Sequence, residues 1–177
     1  MGSRLSLSVA AVTVVFAMAA ACQRPHLEGF EGGELRDVGI PFYPRFVATF
    51  EPVPFDKPGE YAFSFRGFPS QRAGVLLETP SRPQAETLTA FTTRIELSIR
   101  DQAGAVRCIG FGSPAREEPY RMVVWSNNGK AAGLWHSGCS DVDLSDCSPC
   151  TLQVKLAGID SNARGMVVVP ALYGPHK

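Results

Sequence analysis

Residues 94–111 read RIELSIRDQAGAVRCIGF, and their period decides the fold class. Ile95, Leu97 and Ile99 alternate with Arg94, Glu96, Ser98 and Arg100. Side chains repeat every second residue only in an extended strand, so this pattern describes a strand with one buried and one wet face. Asp101-Gln102-Ala103-Gly104 follows, a polar, glycine-ended break, and AVRCIGF then resumes the apolar character. Two such runs across a short Asp/Gly break form an antiparallel hairpin.

The same period recurs outward from this hairpin. EYAFSFR sets Tyr61, Phe63 and Phe65 against Ala62, Ser64 and Arg66, and LQVKL sets Leu152, Val154 and Leu156 against Gln153 and Lys155. Pro52, Pro54, Pro58 and Pro69 stand where strands end, because a residue without an amide proton cannot serve an interior ladder. Strands are expected near 45–53, 59–67, 73–78, 88–100, 105–111, 120–126, 131–136, 151–158 and 165–172. Asp160 to Gly165 separates the last two. No sustained helical stripe is visible. The expectation is an all-β fold, an antiparallel β-sandwich of about eight or nine short strands, with a partly closed barrel as the alternative.

The amino terminus has the layout of an export signal. Arg4 precedes an apolar run from Leu5 to Ala17, and Ala19-Ala20-Ala21 leads into Cys22. No Lys/Arg cluster follows as a stop-transfer signal, so a cleaved leader over residues 1–21 is expected rather than a permanent span. Cysteine parity bears on Cys22. The chain has five cysteines, Cys22, Cys108, Cys139, Cys147 and Cys150. If Cys22 carries lipid, four remain, enough for two disulfides in an oxidising compartment. Residues 22–36 then form a lipidated cysteine and tether, rich in Gly and Glu without strand or helix period, and 37–177 a single domain.

Removing the leader takes away Arg4 and no acid, leaving 16 basic against 17 acidic residues. No basic excess exists to grip nucleic acid. The chain contains no G-x-S-x-G elbow, no H-E-x-x-H and no phosphate-cradling glycine loop. No catalytic residue and no cofactor are therefore assigned. The adjacent Glu117 and Glu118 read as a solvated turn.

Chemistry-bearing residues gather in HSGCSDVDLSDCSPC, His136 to Cys150. Two disulfides among Cys108, Cys139, Cys147 and Cys150 are the principal reading, and four cysteines allow three pairings. One alternative is thiol-redox work at Cys147-Ser148-Pro149-Cys150, although redox C-x-x-C motifs open a helix and this one precedes a strand. Another is a metal site at His136, Cys139, Cys147 and Cys150, which would strand Cys108. DVDLSD begins like a calcium loop but lacks the glycine and the bidentate Glu that such a loop needs.

A ligand face is read from the hairpin around Asn127-Asn128-Gly129. With Asn128-Gly129 at the turn centre, Trp125 faces Ala132, Val123 faces Leu134 and Arg121 faces His136. The opposite face, with Trp135, carries no charge and is assigned to the core. Trp125, Val123, Leu134, Arg121 and His136 then form an outer face able to stack a sugar ring or anchor a protein, unless a neighbouring loop covers it; a bulge in the turn would shift the register by one residue and exchange the roles of the two Trp.

Ala-Ala-Ala-Cys22 resembles the lipobox of bacterial lipoproteins. Together with PVPFDKPGEYAFSFRGF, IELSIRDQAGAV and LQVKLAGIDSNARGMVVVPALYG, the chain resembles small proteobacterial lipoproteins built on a domain of unknown function. That resemblance implies a palmitate-bearing Cys22 and a membrane anchor in the cell envelope. Gln23 in place of Asp implies, by the enterobacterial pattern, the outer membrane or its periplasm-facing surface. The expected role is a binding or structural module with a protein or carbohydrate partner, the membrane reached through lipid, and no nucleic acid.

Overall fold

The computed structural model describes residues 29–39, 45–115, 120–124 (backbone only) and 132–174. The strands are β1 (Glu34–Asp37), β2 (Phe46–Thr49), β3 (Val53–Pro54), β4 (Gly59–Phe65), β5 (Arg72–Thr79), β6 (Arg94–Asp101), β7 (Val106–Gly112), β8 (Tyr120–Val124), β9 (Ala132–His136), β10 (Val142–Asp143), β11 (Cys150–Ala157) and β12 (Val167–Gly174). Among the described residues one short α-helix, α1 (Arg82–Leu88), lies between β5 and β6. The strands form two antiparallel sheets, one in the order β1-β2-β12-β5-β9-β8 and one in the order β4-β11-β6-β7. Within the larger sheet, β3 extends the pairing of β12 and β10 that of β5. The architecture is an all-β sandwich and not a closed barrel.

The smaller sheet follows the alternation read from sequence. Leu152, Val154 and Leu156 of β11 lie opposite Ile99, Leu97 and Ile95 of β6, and all six are buried against the other sheet. Tyr61 and Phe63 of β4 join this inner face through Val154 and Leu152. The turn from β6 to β7 closes with Asp101 accepting from Ala105 N at 2.9 Å, and Gly104 takes the left-handed conformation (φ 83°) that a side chain would strain. Phenylalanines pack against one another in the inter-sheet space. Phe50 lies 5.4 Å from Phe63 and 5.9 Å from Phe65, and Phe55 stacks on Phe91 at 6.3 Å.

The larger sheet does not alternate, for a reason visible in its neighbours. Val75, Leu76 and Leu77 of β5 are all buried, as are Ala171 and Leu172 of β12. Val47, Leu76 and Ala171 point away from the main core but are covered by Trp135 and Tyr173, whose rings meet edge-to-face at 6.1 Å. A strand covered on both faces reads as a continuous apolar run rather than an alternating one.

Two expectations change. The tether expected over 22–36 ends sooner, because β1 begins at Glu34 and pairs with β2, Glu34 opposite Thr49 and Asp37 opposite Phe46. Glu31 also bridges to Arg66. The expected strand at 88–100 starts only at Arg94, because residues 82–88 are helical. The helix starts after Ser81, with proline in its first turn where no amide bond is lost, and buries only Ala85 and Leu88. A single buried i, i+3 pair is too short to register as a stripe. As expected, Asp160 to Gly165 separates the last two strands, which lie in different sheets. The Asp160-capped 3-10 turn over Ser161–Ala163 carries the chain from β11 across to β12.

Candidate functional site

The cysteines pair as Cys108–Cys139 and Cys147–Cys150. The first bond links β7, at the edge of the smaller sheet, to the 3-10 turn Ser137–Cys139 that follows β9 of the larger. The second closes the turn entering β11, with Cys147 N donating to Leu144 O at 3.0 Å and Cys150 buried as the first strand residue. Metal coordination at His136, Cys139, Cys147 and Cys150 is thereby overturned. The three thiolates it requires are bonded to sulfur, and among the described residues no three His, Cys, Asp or Glu side chains group to hold an ion. The C-x-x-C runs into a strand, so no helix N-terminus lowers a thiol pKa there. The acids of DVDLSD are engaged singly. Asp141 pairs with Arg72, Asp146 with Arg107 at 3.6 Å, and Asp143 accepts from Ser145 N at 2.9 Å.

His136 is a structural pivot of this corner. It is 3% exposed, and its Nδ1 accepts from Gly138 N at 2.9 Å. An imidazole accepting at Nδ1 is neutral, with its proton on Nε2. Burial pushes its pKa below the ordinary imidazole value, and a hydrogen bond with the Phe111 carbonyl partly offsets this. The ring presses on β7 at Gly110, where a Cβ would lie 2.3 Å from Cε1. Glycine there is a matter of space, not of backbone conformation.

The ligand face expected on β8 and β9 is not assembled. The observed register places Arg121 opposite Trp135, Met122 opposite Leu134, Val123 opposite Gly133 and Tyr120 opposite His136, one residue off the expected pairing. Leu134, at 0% exposure, and His136 face the core, while Trp135 lies on the outer face, over Gly74. The connection at 125–131 has an odd number of residues, whereas a two-residue Asn128-Gly129 turn requires an even one. A slip of one residue turns every side chain to the opposite face. Assigning the core to the uncharged face failed because a neutral, hydrogen-bonded histidine can be buried. Trp125 lies outside the described residues, as does Cys22. Arg121 and Val123 are described only by their backbone pairing.

On the outer face of the larger sheet, Glu78 is largely covered. Arg36 donates to its Oε2 at 3.3 Å, while its buried Oε1 has no hydrogen-bond partner among the described residues. Burial raises the Glu78 pKa, against the lowering effect of Arg36.

The surface able to receive a ligand lies on the other side of the molecule. Phe111 is 73% exposed, Ile109 48% and Val106 47%, all on β7. Cross-strand register sets Phe111 opposite Glu96, Glu96 opposite Lys155 and Lys155 opposite Glu60, so four strands present a ring, an acid, a cation and a second acid in one row. Arg94, two residues before Glu96, lies opposite Ala157. The small residues Gly112, Ala157 and Gly158 leave an open groove of about 1120 Å³, bordered by Phe111, Arg94, Glu96, Lys155 and Ser113. Beside it, Gln153 Oε1 accepts from Ser98 Oγ at 3.2 Å and from Arg100 Nε at 3.3 Å, fixing the polar half of the face.

Sequence reasoning missed this site, although CIGF contained its signal. Cys108 and Gly110 share one parity while Ile109 and Phe111 share the other, so β7 is apolar on the side opposite its disulfide. No family model, curated protein or solved structure matches the chain, so its surface chemistry alone must carry a functional assignment.

Proposed function

We propose that this chain is a lipid-anchored protein of the bacterial envelope that acts as a binding module, offering the outer face of β4-β11-β6-β7 to its partner. The export-type amino terminus, the Ala19-Ala20-Ala21-Cys22 sequence and the two disulfides support the anchor and the oxidising compartment. The observation that carries the binding role is Phe111, a phenylalanine 73% exposed at the rim of the groove. Leaving an aromatic ring in water forgoes about 1.5–3 kcal/mol of burial, a cost that a binding surface recovers in its complex. The reading assigns the domain recognition rather than catalysis.

Two measurements on the full chain expressed in a bacterial host test this reading. Intact mass should show acylation at Cys22, and Cys22→Ser should move the protein from the membrane fraction to an unprocessed or soluble form. An unmodified Cys22 in the soluble fraction overturns the anchor. Phe111→Ser should leave the melting temperature unchanged or slightly raised, because the ring contributes little to the core. A loss of stability comparable to that of a buried phenylalanine would make Phe111 structural and overturn the binding face.

A further inference from the structure

We infer that the groove beside Phe111 binds an acidic carbohydrate, one pyranose ring lying on Phe111 and a carboxylate of the same oligosaccharide held by Lys155 and Arg94. This inference rests on the binding role proposed above and names its ligand class. Neighbouring strands are about 4.8 Å apart, so the row Phe111, Glu96, Lys155 extends about 10 Å across the sheet. Glu96, in the middle of the row, is placed to accept from ring hydroxyls. Phe111 supplies an open apolar face for the C–H face of a sugar. Neither Arg94 nor Lys155 makes an ion pair among the described residues. The groove lining therefore carries two cations, Arg94 and Lys155, against one acid, Glu96, while Glu60 of β4 stands opposite Lys155 outside that lining.

The location argues against an extended peptide. Such a peptide gains its affinity by adding a strand to a free sheet edge. The groove opens on the face, where the β11 and β6 backbones are paired on both sides. The outer edge of β7 is closely approached by Gly138, where a Cβ would lie 3.0 Å from Ile109 O. Recognition must therefore come from side chains, and a ring, a carboxylate and two cations suit an acidic sugar.

The test is calorimetric titration of the full chain in detergent with a hexuronic-acid trimer, a neutral hexose trimer and an oligoglutamate peptide, with amide shifts mapped by NMR. The acidic trimer should bind with shifts centred on Arg94, Glu96, Phe111 and Lys155, about tenfold or more tighter than the neutral trimer, and oligoglutamate should not bind. Phe111→Ala should weaken both sugars by about tenfold or more. Lys155→Met, which keeps the stem, should abolish the preference for the acidic sugar, as should raised salt. Oligoglutamate binding in the groove more tightly than the acidic trimer overturns the carbohydrate class but leaves the binding face standing. An acidic trimer that does not bind, or binds no better than the neutral one, overturns the inference alone. Shifts confined to other surfaces overturn both the inference and the face.

Discussion

The two disulfides should differ in worth by about a factor of two, because they close loops of very different length. Cys108–Cys139 spans a sequence separation of 31 and Cys147–Cys150 one of 3. By the chain-entropy relation for a cross-linked unfolded state, the longer closure contributes about 3.7 kcal/mol at 25 °C and the shorter about 1.6 kcal/mol. The native contacts point the same way. The longer bridge joins β7 in one sheet to the turn after β9 in the other, whereas the shorter lies within one turn. The perturbations are Cys108→Ala with Cys139→Ala and, separately, Cys147→Ala with Cys150→Ala. Urea unfolding followed by circular dichroism reads the outcome. With a urea m-value of about 2 kcal/mol/M, the first pair should lower the midpoint by about 2 M and the second by about 0.8 M. Equal shifts, or a larger loss for the Cys147–Cys150 pair, would refute the loop-closure reasoning.

Two predictions concern pH. Burial holds His136 neutral in the fold, so the unfolded chain binds its proton first and stability should fall as pH drops below about 6.5, by up to about 1.4 kcal/mol per pH unit. His136→Gln should flatten that limb in pH-dependent urea midpoints, and an unchanged slope would discount the histidine. Glu78 has the opposite sign. Its folded pKa is raised chiefly by burial, so its favourable contribution is complete below the ordinary glutamate value and is lost as pH rises through the folded one. Glu78→Gln should therefore gain stability relative to wild type as pH rises from about 4 to 7, and a gap that narrows over that range counts against a buried carboxylate.

How far the sequence determined this protein is clearest in particular residues. Period-two alternation identified Ile95, Leu97 and Ile99 as the buried face of one strand and Leu152, Val154 and Leu156 as that of another, because a strand's own geometry decides which residues share a face. Asp101 to Gly104 marked the β6-β7 turn for an equally local reason, its side-chain and backbone hydrogen bonds closing within a few residues. Everything that depends on a second element needed the tertiary structure. The partner of each cysteine is decided by which Cα atoms meet across the sheets, 5.4 Å for Cys108 and Cys139, and spacing along the chain holds no such information. β1 is a strand because β2 lies beside it, and β5 loses its alternation because Trp135 and Tyr173 cover its outer face. His136 and Leu134 face inward because pairing with β5 and the position of the opposing sheet fix that side of β9, and the register of β8, one residue away from the one Asn128-Gly129 suggests, sets Tyr120 and Met122 opposite them rather than Arg121 and Val123. Phe111 is exposed for the same kind of reason. The alternation of β7 allows either face to be apolar, and only the position of the opposing sheet decided which face reached water.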